Sequence, residues 1–386
     1  MLSIGFLNHG NLVQRETLAA LRRLPDTRVV VIDSVTLAGD IQARQTCEAL
    51  AARGCRVLVT INDWGLDAAG EIGTFMHRRG IVHVNWYVDD PFFFEIINHI
   101  TFPSFPNRFD FVSDRGYVKP LRSRGYKAWF LPLATDPSLF FPLEPAPAAE
   151  RDACFVGNSY RTQLDTYLKD CDRFMEEQLP FLHLLLQRYR ENLCYDIEQP
   201  LREYFAGKPL PGSMTPERAV FVAKHFVGYL FRKSVISSLA AEYRDFMVFG
   251  DIGWAQDLPE GRVSTAVGYY TNLNKTYRTT RVNIDINRMV IRDGFTQRVF
   301  DCSAAGALVI TSPKRVIGEY FETEGHGCEL VVFENEKHLR ELLDYYRTHE
   351  NEGKAIAGRA REKVLALHTY DHRVRTMFST ISREGG

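Results

Sequence analysis

The chain has no surplus of charge of either sign. Its 386 residues carry 47 Lys and Arg against 48 Asp and Glu, a formal net charge of −1. A nucleic-acid binder, whose affinity rests on excess Lys and Arg, is therefore not expected. Cysteine is sparse: seven residues, at 47, 55, 154, 171, 194, 302 and 328, odd in number and never spaced C-x-x-C. That pattern argues against a disulfide framework or a structural zinc site. No His/Cys/carboxylate cluster has metal-ligand spacing, and P-loop and G-x-S-x-G motifs are missing. There is no window of 18 uncharged apolar residues, so no membrane span is expected. The opening MLSIGFLNHGN lacks the basic flank and long apolar run of a signal peptide. These absences together lead to the expectation of a soluble, reduced, cytoplasmic protein.

What is present is ordinary for a globular protein: 45% hydrophobic and 25% charged residues, enough for a sizeable core and, at this length, two domains. Short apolar strands alternate with amphipathic helices from the start. Leu2 to Leu7, Arg28 to Asp33, Arg56 to Ile61, Val82 to Val88, Asp110 to Ser113 and Ala128 to Leu131 read as strands. Several are apolar on both faces, which predicts a parallel sheet covered by helices on each side. The stretch 142–152, PLEPAPAAERD, has no apolar period and predicts a domain boundary. Alternation then restarts with strands at Ala153 to Val156, Phe246 to Phe249, Ser264 to Val267, Val282 to Ile286, Ala307 to Thr311 and Glu329 to Phe333. The fold class is thus α/β, two doubly wound Rossmann-like halves.

Between the first two strands of the second half lies a mostly helical segment, 163–244, far longer than one crossover needs. Its last helix, from about Arg232 to Tyr243, is expected to be the crossover, and 163–231 an insertion. Within that insertion AVFVAKHFVGYLF, 219–231, is apolar nearly all round, as in a helix buried against its neighbours; a partner-docking or membrane-touching face is the alternative.

The segment 282–312 draws attention for Asp293 and Asp301, eight residues apart around a helix expected from about Phe295 to Ala305. On one helix the carboxylates would be roughly 12 Å apart. That span suits an extended ligand whose charged middle sits over a helix N-terminus, as the pyrophosphate of a nucleotide sugar would.

The residues resemble a known family. The ordered series Val267-Gly268-Tyr269, Leu273, Tyr277, Val282, Asp293-Gly294-Phe295, Asp301, Ala304-Ala305-Gly306 and Val309-Ile310 is similar to the donor half of GT-B glycosyltransferases, within them the CgeB-like "glycosyltransferases group 1" relatives of family 4. Phe155-Val156-Gly157-Asn158-Ser159-Tyr160-Arg161 resembles the opening strand and loop of that half. Trp86-Tyr87-Val88-Asp89-Asp90-Pro91 resembles the WxxDDP segment of the first domain. Leu131-Pro132-Leu133-Ala134-Thr135-Asp136-Pro137 resembles the end of that domain, and His368-Thr369-Tyr370 with Arg373 the C-terminal pattern.

The resemblance implies a GT-B fold: domain 1–145 for the acceptor, with 369–386 packing back on it, and domain 150–368 for the donor, the two facing a cleft. It implies transfer of a sugar from a nucleotide-diphosphate donor to an acceptor hydroxyl, of the hexosyltransferase type, retaining, and with neither metal nor cofactor. It assigns Asp301 to the ribose hydroxyls and Asp293 to the donor sugar, each an Asp where relatives carry Glu. Arg298 and Arg161 are candidates for the pyrophosphate because guanidinium binds phosphate bidentately. Gly157 and Gly294 would let backbone approach the phosphates, with Phe295 beside Gly294, Asn287 within reach and Tyr269 near the base. On the acceptor side stand Asp89 or Asp90 as candidate base, and His9 and Asn11 in the first strand-to-helix loop. The acceptor, whether saccharide, protein or small molecule, is open. A binding-only relative and a nucleotide-sugar epimerase are the rival readings.

Overall fold

A computed structural model of the chain describes residues 1–10, 13–168, 172–212, 214–265 and 267–384. Strands and helices alternate as βα units: β1 (Leu2–Asn8), α1 (Gln14–Arg22), β2 (Thr27–Asp33), α2 (Asp40–Ala52), β3 (Val57–Ile61), α3 (Glu71–Arg79), β4 (Val82–Tyr87), α4 (Phe93–Asn98), β5 (Arg108–Val112), α5 (Val118–Ser123) and β6 (Ala128–Phe130). These strands form one parallel sheet in the order β2-β1-β3-β4-β5-β6. All five residues of β3, VLVTI, are buried, as a strand covered on both faces requires. Beneath the helices on one face lie Leu50, Leu58, Ile72, Met76 and Phe94. Asp67 fixes the start of α3 by accepting from the amides of Glu71 (2.7 Å) and Ile72 (3.0 Å), two of the helix's four orphan donors.

The second sheet is built the same way. Its elements are β7 (Arg151–Val156), α6 (Arg161–Leu168), α7 (Asp172–Glu191), α8 (Glu198–Ala206), α9 (Pro216–Glu242), β8 (Phe246–Phe249), β9 (Val263–Ser264), α10 (Leu273–Arg278), β10 (Thr280–Asp285), α11 (Gln297–Ala304), β11 (Val309–Thr311), β12 (Val331–Val332), α12 (Glu336–Thr348) and α13 (Glu350–Leu367). Strand order is β12-β11-β10-β7-β8-β9, again all parallel. The winding reverses between β7 and β10 here, and between β1 and β3 in the first sheet. The crevice beyond the carboxyl ends of strands at such a reversal is where open α/β sheets bind ligands.

The chain divides into two compact units, Met1–Ala134 with Leu367–Gly386, and Thr135–Ala366. The last helix, α14 (Tyr370–Glu384), is grouped with the first unit. There Tyr370 meets Trp86 edge-on at 6.0 Å, and Arg373 donates to the carbonyls of Pro132 (2.7 Å) and Leu133 (2.9 Å). The division falls between Ala134 and Thr135 rather than in the Pro- and Ala-rich stretch 142–152. The reason is packing: Phe140 lies between Tyr269 (5.3 Å) and Tyr277 (6.0 Å), and Asn274 holds the backbone of Phe141 through both its amide groups.

Two element expectations are corrected. The insertion and the crossover are not separate helices, because α9 runs unbroken over 27 residues. Thr215 caps it, accepting from the amide of Arg218 at 3.2 Å, with Pro216 at the position proline favours. The α9 core positions are buried, and Lys224 among them is neutralised by Glu198 at 2.6 Å. The other correction concerns α11, which begins at Gln297, so Asp293 precedes the helix and the spacing argument along one helix does not hold. Thr296, the cap residue, gives its hydroxyl to Asp285 instead of to the helix (2.8 Å). No helix among the described residues is long and apolar enough to cross a membrane.

Candidate functional site

In the second unit the carboxyl ends of β7 and β10 carry a concentration of guanidinium groups. Gly157 follows β7, and its carbonyl accepts from Trp254 Nε1 at 2.8 Å while its amide donates to Phe249 O at 2.8 Å. A Cβ at Gly157 would stand 3.0 Å from both the Phe155 ring and Arg298 Nη2; one at Gly250 would land on the Gly157 carbonyl. Gly250 therefore needs glycine for close approach, whereas a side chain at Gly157 would press on the Phe155 ring and Arg298. Ser159, fully buried, donates its amide to Asp251 (3.0 Å) and accepts from the amide of Arg161 (3.1 Å). Between these anchors Tyr160 is held at φ +69°, a conformation rare for an aromatic residue.

Arg298 projects from α11 over the Phe155 ring (5.4 Å) and pairs with Asp285, whose other oxygen accepts from Thr311 at 2.8 Å. Burial acts to pull the Arg298 pKa down, but the Asp285 carboxylate outweighs it and holds it above the ordinary value. Arg232, on α9, is different. It is 2% exposed and donates only to carbonyls, those of Asn158 (3.0 Å) and Ile286 (2.7 Å). Its plane covers Phe155 (5.3 Å) and Tyr160 (4.8 Å). Among the described residues no carboxylate pairs with it, and burial pushes its pKa down. Arg288, after β10, stands 5.8 Å from the same Tyr160 ring. Burying a guanidinium without a counter-anion is costly, so this arrangement is suited to receive one.

The sequence singled out Arg298 and Gly157 here but missed Arg232, Arg288 and Tyr160. One signal was legible: Arg232 ends the apolar run of α9, where a charge has no reason to be unless it meets a partner.

The remaining donor-side candidates are distributed as follows. Asp301 is 1% exposed, its Oδ1 accepting from the Thr135 hydroxyl (2.8 Å) and its Oδ2 from the Tyr269 hydroxyl (3.1 Å). Gln297 donates to that same Tyr269 oxygen. Asp301 is thus a buried hydroxyl acceptor. Asp293 accepts from the amide of Val316 (2.9 Å), tying its loop to the 3-10 turn Arg315–Glu319. Asn287 is 3% exposed, bound to Ser312 through its amide and Nδ2, with Oδ1 buried and lacking a partner. Gly294 is buried. Phe295 is 3% exposed with its ring packed against Phe300, Tyr320 and Phe321, so only its backbone is left for a ligand. Arg161 does not join the Arg232 group: it donates to the Tyr229 hydroxyl (3.1 Å) and lies 3.7 Å from Asp257.

The insertion reaches this region through Glu198. That carboxylate takes ion pairs from Lys224 (2.6 Å), Arg202 (2.8 Å) and Arg292, the last from the loop that carries Asp293. Burial works to raise the Glu198 pKa, but Lys224 and Arg292 outweigh it and bring it to about 2.

In the first unit the candidates gather at the carboxyl ends of β1, β3 and β4. His9 contacts Ser34 O (3.3 Å) and the Thr36 hydroxyl (3.0 Å) and meets Trp64 edge-on at 5.5 Å. Asn11 lies outside the described residues. Asp89 is exposed and is held by Asn62, whose Nδ2 donates to Oδ2 (3.0 Å) and whose Oδ1 accepts from the Asp89 amide (3.2 Å). Asp90 serves the turn: it accepts from the Phe92 amide (2.9 Å) and the Tyr117 hydroxyl (2.7 Å). Beneath them, Arg108 bridges Asp63 (2.9 Å) and Asp110 (2.7 Å) inside the sheet. Burial there pushes Asp110 up and His83 well down. Among the described residues no group of His, Cys, Asp and Glu is arranged to hold a metal ion.

Residues 232–379 match a family described as glycosyl transferase-like. In fold the chain is GT-B: two parallel six-stranded units of the kind found in solved glycosyltransferases. The matched stretch begins at Arg232 and leaves the insertion outside it. A glycosyltransferase from Rickettsia africae has the same fold at TM-score 0.53 and 11% identity, over 99% of this chain and 98% of that one. An Anabaena protein, HepE, solved with UDP and glucose, superimposes at TM-score 0.55 with 10% identity, over 99% of this chain and 100% of its own. No curated protein matches the chain by sequence.

Proposed function

We propose that the protein transfers a glycosyl group from a nucleoside diphosphate sugar to an acceptor hydroxyl, with the donor held by the second unit. The observation that carries this reading is Arg232, a buried guanidinium with carbonyl partners and no carboxylate, set at the winding reversal of that unit. Together with Arg298, Arg288 and the Gly157 backbone it supplies positive charge where a diphosphate would lie. In a dry site such preorganised cations stabilise the charge that grows on the departing nucleotide. They would do so without a metal ion, and the reading invokes no cofactor. The resemblance to family 4 points to retention of configuration. The departing phosphate would then take the acceptor's proton, and no protein base is needed. In an inverting enzyme Asp89, exposed and oriented by Asn62, is the better base candidate of the pair. Asp301 fits a ribose-binding role in chemistry, since its partners include two hydroxyls that ribose hydroxyls could replace.

That same satisfaction of Asp301 favours, as a second reading, a protein that binds the diphosphate without transferring sugar. A thermal-shift panel of UDP-, GDP-, ADP- and dTDP-sugars, followed by product analysis with and without acceptor, separates the two. Stabilisation with transfer or slow hydrolysis is expected. Stabilisation without either supports the binding-only reading, and no stabilisation by any donor overturns both. Proton NMR of fresh product reports the anomer, and inversion would reject the family-4 mechanism.

A further inference from the structure

Tyr160 has no role in the reading above, yet its conformation and surroundings ask for one. An aromatic side chain at φ +69° is strained, and such strain persists where the surrounding structure over-determines it. Here Ser159 on one side and the first turn of α6 on the other fix the backbone, with Leu164 donating to the Tyr160 carbonyl at 2.9 Å. The result is a ring with two guanidinium groups set over it, Arg232 at 4.8 Å and Arg288 at 5.8 Å. Burial alone would push the phenol's pKa up, but the charges of Arg288, Arg232 and Arg298 outweigh it and hold the group below its ordinary value. The Arg232 guanidinium stands over the ring and gives its hydrogen bonds to carbonyls, which leaves the phenol with its own proton to give. Among the described residues no acceptor takes that proton.

We propose that Tyr160 is a ligand-binding residue whose hydroxyl donates to a phosphate oxygen of the nucleoside diphosphate seated on Arg232, Arg288 and Arg298. The inference rests on the donor-site reading and adds a neutral hydrogen-bond donor to a site otherwise made of cations. It also makes binding sensitive to alkali. Once the phenol ionises it is an anion inside the anion site, and the ligand is repelled. The groups that face it are Arg232 and His225 from α9, Arg288 from the loop after β10, and Arg298 from α11. His225, its pKa brought to about 4 chiefly by burial, is neutral throughout the alkaline range. The arginines stay charged there, so Tyr160 is the group among them whose charge changes.

The test is calorimetric titration of UDP, GDP, ADP and dTDP into the full chain, as wild type, Tyr160→Phe and Arg232→Met, at about pH 7 and about pH 9.5. Phenylalanine keeps the ring, the strain and the stacking, and removes only the hydroxyl. For the diphosphate that wild type binds, Tyr160→Phe is expected to weaken binding about 10-fold at neutral pH, the worth of one hydrogen bond to a charged group. Wild type should lose affinity at the higher pH, whereas Tyr160→Phe should not. Equal affinity and equal pH dependence in wild type and Tyr160→Phe would overturn the inference and leave the donor-site reading standing. Failure of wild type to bind any of the four would overturn both. A thermal scan of each variant confirms that it is folded.

Discussion

Glu198, on a helix of the insertion, is ion-paired to Arg292 in the loop that carries Asp293. Since Lys224 and Arg202 hold the same carboxylate, the insertion grips that loop through one charged hub. Glu198 ionises at about 2 in the folded chain, against an ordinary 4.5. A carboxylate depressed on folding contributes stability that is complete above its unfolded pKa and is lost as pH falls through the folded one. Glu198→Gln is therefore expected to cost about 3 kcal/mol at neutral pH. The deficit should shrink between about pH 4.5 and about pH 2. Urea unfolding across that range checks it, and a deficit that does not change with pH would show the hub to be mere packing.

Arg232→Met should separate binding from stability. Removing a buried, uncompensated cation in favour of an apolar side chain of similar length is expected to leave stability unchanged or raise it by about 1 kcal/mol. Nucleotide affinity should fall by roughly two orders of magnitude, because charge-assisted bonds to phosphate are lost. Thermal melts with and without UDP or GDP measure both. A variant that melts lower yet retains affinity would make Arg232 a structural residue.

Asp301 calls for Asn rather than Ala as a probe. Alanine would strand the buried hydroxyls of Thr135 and Tyr269, at a cost of about 1–3 kcal/mol. Asparagine keeps one acceptor and removes the charge. Asp301→Asn should melt within a few degrees of wild type and lose most of the stabilisation by nucleotide diphosphates. Full retention of that stabilisation would remove Asp301 from the site.

Tyr160→Gly should stabilise the free protein by about 1 kcal/mol, offset in part by the lost ring contacts, because glycine adopts positive φ without strain. The same change is expected to weaken diphosphate binding at least as much as Tyr160→Phe. Chemical denaturation of the two variants side by side measures the strain. If Tyr160→Gly is the less stable of the two, ring packing and not strain dominates at this position.

The alternation of apolar strands and capped helices made both parallel sheets readable, because local hydrophobic period decides them. The positions of Gly157 and Asp89 at strand ends followed from the same alternation. What the sequence hid depends on distant partners. The attachment of 135–150 to the second unit rests on Phe140 meeting Tyr269 and Tyr277 more than a hundred residues away. The helix expected from about Phe295 begins at Gln297, and the hydroxyl of its cap residue Thr296 goes to the distant Asp285. Arg161, beside the Gly157 loop, was as good a phosphate candidate as Arg298, yet Tyr229 and Asp257 on and beside α9 engage it. Arg232 and Arg288 entered the site only through tertiary packing around Tyr160.

The unbroken course of α9 bears on how this chain could have come by its extra helices. With 27 residues it is about 40 Å long, and Arg232 sits on the same rod as the apolar segment of the insertion. The added segment is therefore not a cassette that can be spliced out at a loop. Excising 163–231 would cut the rod directly before Arg232 and leave that arginine on a frayed end. Shortened versions of this protein should be trimmed between α6 and Thr215, where the chain turns, and never within α9.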